Sequence, residues 1–180
     1  SGCVIHVGSA SAQEGEVISS VFGSVDVAEH RSVGDLSSVN GNVSIEDYAQ
    51  AEDISVVNGG VEIGSHVRID DINIVNGDLD AGSNLHVTNS IETVNGDIEV
   101  THTGSSEISF TSVNGDLDVN TTSPEVAVET VNGRIELTLA AIDRLEIDTV
   151  NGKTTASMSL NDNGQVKANS VGGAMSLAFQ

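Results

Sequence analysis

Val94-Asn95-Gly96-Asp97-Ile98-Glu99-Val100 recurs 19 residues later as Val113-Asn114-Gly115-Asp116-Leu117-Asp118-Val119. The leading tripeptide occurs seven times, starting at Val39, Val57, Val75, Val94, Val113, Val131 and Val150. Degenerate copies flank the series at Val21-Phe22-Gly23 and Val171-Gly172-Gly173, and successive starts lie 18, 18, 18, 19, 19, 18, 19 and 21 residues apart. A tripeptide repeated at near-constant spacing is the mark of a repeat architecture.

Within each unit the apolar positions recur too. Four and six residues after the leading Val come pairs such as Val43 and Ile45, Ile98 and Val100, and Ile135 and Leu137. A step of two is strand alternation. Further apolar sites lie three residues before the next Val (Leu36, Ile54, Ile72, Ile91, Phe110, Val128, Ile147) and five or six before it (Val33, Ile69, Ile108, Val126, Leu145). Each unit reads as three short strands with turns, and the stretch from Leu137 to Leu145 as strand plus a longer turn. Helical spacing is not sustained anywhere.

A unit of this size cannot bury its apolar face alone and must stack on its neighbours. The expected fold is all-β: a single-stranded parallel β-helix of about nine coils of 18 to 19 residues. Coils at roughly 4.8 Å would make a rod on the order of 43 Å long. A propeller blade needs about 40 to 50 residues, and a hexapeptide helix needs an apolar residue every six, so neither fits. The right-handed preference of parallel crossovers favours a right-handed coil. The domain division is 1–16, a tether or first partial coil, and 17–180, the β-helix.

Composition agrees. There are three Phe, one Tyr and no Trp, so the core must be filled by medium-sized residues that suit pleated surfaces. The balance of 27 acids against 6 Lys and Arg gives −21. Such a chain has no basic stripe for nucleic acid and no attraction to anionic headgroups. No run of 18 apolar residues is present.

In Val-Asn-Gly, the Gly is read as supplying a positive φ at a tight corner, with Asn the next best residue there. The Val is read as ending a strand inside the core. Asn40, Asn58, Asn76, Asn95, Asn114, Asn132 and Asn151 would stack into a ladder of carboxamides satisfying one another in the interior. An exposed row of Asn binding sugar is the alternative. The ladder should stop where Phe22 and Gly172 replace Asn.

Outward positions collect acids: Asp78, Asp80, Asp97, Glu99, Asp116 and Asp118, flanked by Glu62 and Glu136. Stacked like charges repel. Water and monovalent salt screen them most simply; a Ca²⁺ site is the sharper alternative, since that ion takes several carboxylate oxygens. No other cofactor is expected. Paired carboxylates also occur in glycosidases, but aromatic platforms are scarce here and the six basic residues are scattered, so no catalytic residue is assigned and no enzyme activity is expected. His6, His30, His66, His86 and His102 read as polar turn residues. Ser1-Gly2-Cys3 matches the end of a lipobox, which would make Cys3 a lipidated residue and the only route to a membrane. Val4 beside it points to the outer membrane in a Gram-negative cell. Cys3 could equally belong to a first coil, because Ile5 and Val7 fall at strand positions.

The Val-Asn-Gly-(Asp/Asn/Gly)-Φ-(Asp/Glu)-(Val/Ile) run over roughly residues 17 to 179 resembles a bacterial family of β-strand-repeat, adhesin-like proteins of unassigned function. The resemblance implies a β-helix of the cell envelope, often exported or lipidated, with no catalytic residues to carry over. Bactofilins have similar coil lengths but lack this Asn ladder. The expected function is a non-enzymatic envelope scaffold or adhesin-like module presenting an acidic surface to a protein or glycan partner. The alternatives are a self-assembling protein stacking end to end, hence a homo-oligomer, and a cation- or glycan-binding surface protein.

Overall fold

The computed structural model describes residues 3–7, 10–11 and 15–180, with side chains from residue 15 onward. It is a β-solenoid: eighteen strands joined in one continuous parallel sheet, with no helix among the described residues. The repeat sets the register. Val43 pairs with Val61, Val61 with Leu79, Leu79 with Ile98, Ile98 with Leu117, Leu117 with Ile135 and Ile135 with Thr154. The strands that end in Asn, such as Leu36–Asn40, Asp53–Asn58 and Ile108–Asn114, form a second stack in the same way. Cys3–Val7 pairs in parallel with Val17–Phe22, one repeat on.

The third side of the coil is less regular than three strands per unit would require. In the early coils it is reduced to single bridges, Ser32 to Gln50 and Gln50 to Arg68. Later the turns vanish into long strands, Ile135–Asn151 and Thr154–Gly172. The longer turn expected after Leu137 is therefore a strand that bends at irregularities in register between Thr138 and Ala141 and between Ile142 and Arg144. No Gly lies between Gly133 and Gly152 to interrupt it.

The core is a set of stacked columns. Val25, Val43, Val61, Leu79, Ile98, Leu117 and Ile135 make one; Ile18, Leu36, Ile54, Ile72, Ile91, Phe110, Val128 and Ile147 make another, all of them buried. Each such side chain contributes roughly 1.5–3 kcal/mol of burial.

One expectation is reversed. The Val of Val-Asn-Gly does not end in the core: Val39, Val57, Val75, Val94, Val131 and Val150 are 38 to 41% exposed. Strand alternation explains this. Leu36 and Ser38 face inward, so Val39 between Ser38 and Asn40 faces outward. The inward position before the Val is filled by Ser20, Ser38, Val56, Ile74, Thr93, Ser112, Thr130 and Thr149, all of them buried. Ser20 and Ser38 donate to the carbonyls of Gly23 and Gly41 at 3.2 and 3.0 Å. Thr93, Ser112, Thr130 and Thr149 have buried hydroxyls with no hydrogen-bond partner among the described residues.

Gly115 shows why the tripeptide ends as it does. Its φ is +151°, and a Cβ there would overlap the carbonyl oxygen of Gly96 one coil earlier. The same carbonyl-on-glycine contact repeats from Gly41 to Gly173.

Candidate binding surfaces

The side chains of the repeat are sorted into outward columns, each with its own chemistry. The Asn column is a hydrogen-bonded ladder. Asn58 donates to Asn40 at 3.1 Å, Asn76 to Asn58 at 2.9 Å, Asn95 to Asn76 at 2.8 Å, Asn114 to Asn95 at 2.9 Å, Asn132 to Asn114 at 2.9 Å and Asn151 to Asn132 at 3.1 Å. Two details differ from expectation. The amides lie on the surface rather than in the interior. They also close extended strands, and the positive φ belongs to the Gly alone. The column meets Phe22 opposite Asn40 at one end and Gly172 opposite Asn151 at the other.

The six acids Asp78, Asp80, Asp97, Glu99, Asp116 and Asp118 stand in two columns rather than one cluster. In the first, each carboxylate is held by the backbone of the next coil. Asp78 accepts from the Asp97 amide at 2.8 Å, Asp97 from Asp116 at 2.7 Å and Asp116 from Arg134 at 2.7 Å. Asn42 does the same for Gly60 at 2.9 Å. A short Asx side chain reaches one coil along, and hydrogen bonds to an ionised acceptor are the stronger kind. These bonds offset the like-charge repulsion expected from the stacking.

The second column runs Glu62, Asp80, Glu99, Asp118 and Glu136 in strand register. Arg134 reaches both columns at one end, 3.8 Å from Asp116 and 3.9 Å from Glu136. Among the described residues Glu62, Asp80, Glu99 and Asp118 have no ion-pair partner. Glu62 and Asp80 also border a concavity with Glu29, Glu46 and Asp47. Among the described residues no three His, Cys, Asp or Glu side chains converge in a way that could hold a metal ion.

The sequence profile of the Toastrack DUF4097 family matches residues 35–180. The chain belongs to this family. Searches of curated proteins and of solved structures returned no match. The Toastrack match starts one residue before Leu36–Asn40, the strand carrying the first full Val-Asn-Gly, whereas the coil stacking extends further toward the N-terminus.

His30 and His66 are turn residues as expected, and two further features of this Toastrack chain, a ring stack and a buried histidine, were not anticipated. His30, Tyr48 and His66 occupy equivalent turns, each with φ of 60°, and their rings stack at 5.1 and 4.8 Å. His102 is not a turn residue but is buried against the Phe110 ring edge. Its Nε2 lies 3.1 Å from the Val87 carbonyl, which can only accept, so Nε2 carries the proton. Nδ1 then accepts from the Thr121 hydroxyl at 2.9 Å. Burial holds the His102 pKa below its ordinary value, keeping the ring neutral.

Charge crowding appears at Asp53. Burial, then the charges of Asp71, Asp35 and Asp70, raise its pKa. Elsewhere Lys167 hydrogen-bonds Glu146, which lowers the carboxyl pKa and raises that of the ammonium.

Proposed function

We propose that this Toastrack solenoid is a non-enzymatic scaffold of the bacterial cell envelope that presents its acidic β-surface to a partner, protein or glycan, bearing positive groups. The observation that supports the reading is the column of Glu62, Asp80, Glu99 and Asp118, aligned in register and without ion-pair partners among the described residues. Four carboxylates at roughly 4.8 Å spacing make a linear array of negative potential that attracts a cationic group from a distance. Lipidation of Cys3 would tether the solenoid, at the outer membrane in a Gram-negative cell, with the lipid rather than the protein supplying the affinity.

The deciding experiment is photo-crosslinking in cells, with the probe at Glu99 on the acidic column or at Ser105, an exposed turn residue away from that column. Adducts from Glu99 that vanish when Asp80 and Asp118 become Asn support the reading. Equal adducts from both positions, or none from Glu99, sink it. Palmitate labelling lost in Cys3→Ser tests the tether separately.

End-to-end self-assembly is the second reading, favoured by the C-terminal coil. Met175–Phe179 pairs with Thr154–Gly172 on one side and with no other described strand, and Phe179 is exposed. Rods that lengthen with concentration in X-ray scattering would support it.

A further inference from the structure

The outward valines form a continuous apolar ridge on a chain whose net charge is −21. Val39, Val57, Val75, Val94, Val131 and Val150 each keep about two fifths of their surface in water, and Val113 continues the same line half-buried. A contiguous apolar patch of a few hundred Å² is often functional and marks interaction sites. The ridge does not follow from a need to fill the core, because the inward positions of the same strands already do that.

Two different polar columns flank it. On one side is the Asn ladder. From Asn58 to Asn151 each carboxamide spends one N–H on its neighbour and keeps a second donor. On the other side, two residues before each Val, stand Ser37, Ser55, Asn73, Glu92, Thr111, Glu129 and Asp148. A shallow groove between this column and the ridge is lined by Val113, Val131 and Val150 with Thr111, Glu129 and Asp148.

We propose that this face pairs with the same face of a second copy, the two solenoids lying side by side with parallel axes. The flanking columns decide the partner and the orientation. A two-fold axis parallel to the solenoid axes sets the valines of one copy in the groove of the other. It also brings the free amide donors of Asn114, Asn132 and Asn151 against Glu129 and Asp148 across the interface. A two-fold axis perpendicular to the solenoid axes would instead set this mixed column against its own reverse, with Glu92 facing Glu92, and would turn the amide donors toward each other rather than toward Glu129 and Asp148. This face also carries fewer acids than the side bearing the two acidic columns, so two molecules of like charge meet here with least repulsion.

The strip of seven coils is roughly 34 Å by 15 Å, on the order of 500 Å² per copy, near the lower edge of a stable interface. A dimer in the micromolar range is therefore expected. The pairing makes no use of the acidic columns and stands or falls independently of their role.

Sedimentation equilibrium of the intact chain up to about 0.5 mM tests it, since a micromolar dimer is fully populated there. The expected result is a shift from 18.5 kDa to twice that mass. Val94→Thr with Val131→Thr, which keeps the shape and strand preference of valine, should weaken the dimer at least tenfold with the melting temperature nearly unchanged. Nitroxide labels at position 75 and, separately, at position 150 should both give short inter-subunit distances, because like coils face each other. A wild-type chain that stays monomeric, a dimer indifferent to the two threonines, or a long distance at either position overturns the proposal.

Discussion

Asn95 donates its side-chain amide to Asn76 at 2.8 Å, the shortest of six such bonds, and accepts from Asn114 at 2.9 Å. Because these amides lie on the surface, the ladder competes with water. It fixes the lateral register of the coils more than it adds to their stability. Asn95→Ala removes two bonds and should cost about 1–2 kcal/mol. Asn95→Asp should cost more, because a carboxylate cannot donate to Asn76 and adds charge. Thermal melts of both variants check the order, and equal losses would mean that the donor role is irrelevant.

Gly115→Ala should be more damaging than either. The added methyl meets the Gly96 carbonyl, a backbone atom that cannot rotate away, and φ at +151° is unfavourable for alanine. A loss of about 2–4 kcal/mol is expected from denaturant unfolding. A loss below that of Asn95→Ala would show that the coil spacing yields easily.

Thr130→Val should stabilise. The Thr130 hydroxyl is buried with no partner among the described residues, and valine has the same shape without the unmet donor. A gain of about 1 kcal/mol corresponds to a rise of roughly 2–4 °C in Tm for a chain of this length. The paired substitution Val131→Thr, on the exposed ridge, should change stability little. If the two results were exchanged, the assignment of inward and outward positions would be wrong.

That assignment shows how much of the molecule was legible in its sequence. The step of two from Val43 to Ile45, and the recurrence of Leu36, Ile54 and Ile72, gave the solenoid and most of its core, because one buried face imposes strict alternation. The same alternation contradicts a buried Val39: it lies three residues from inward Leu36, an odd step. Parity also puts His102 inward, four residues after Ile98, although Thr-His-Thr-Gly looks locally like a turn. The carboxylate-to-amide bonds of Asp78, Asp97 and Asp116 were harder to foresee. They depend on where a side chain meets the backbone of another coil, which spacing alone does not specify.

Asp53 gives a pH-dependent prediction. Its folded pKa is raised above the ordinary 3.8, so its protonated form favours the fold. The stability it confers is fully present below 3.8 and is lost as pH rises through the raised value. At neutral pH the ionised group is a liability, and Asp53→Asn should be more stable than the natural chain. Below the ordinary value the advantage should disappear. Urea unfolding at both pH values distinguishes this from a simple packing gain, which would persist at low pH.

His102 titrates in the opposite sense. Burial lowers its folded pKa below the ordinary 6.5, so the unfolded chain binds the proton more readily. Its contribution is fully present above 6.5 and is lost as pH falls from there through the folded pKa. Protonation would also place a donor at Nδ1, where Thr121 now donates and Ser123 lies 3.4 Å away. The Thr121 hydroxyl would have to turn, and the ring would stay charged among Phe110 and the strand backbones. Stability should therefore decline as pH falls below 6.5 toward the lowered folded value. His102→Gln keeps a polar group able to meet the Val87 carbonyl without titrating. It should unfold more easily at neutral pH but show a flatter profile over that interval. An unchanged slope in the variant would assign the decline to another group.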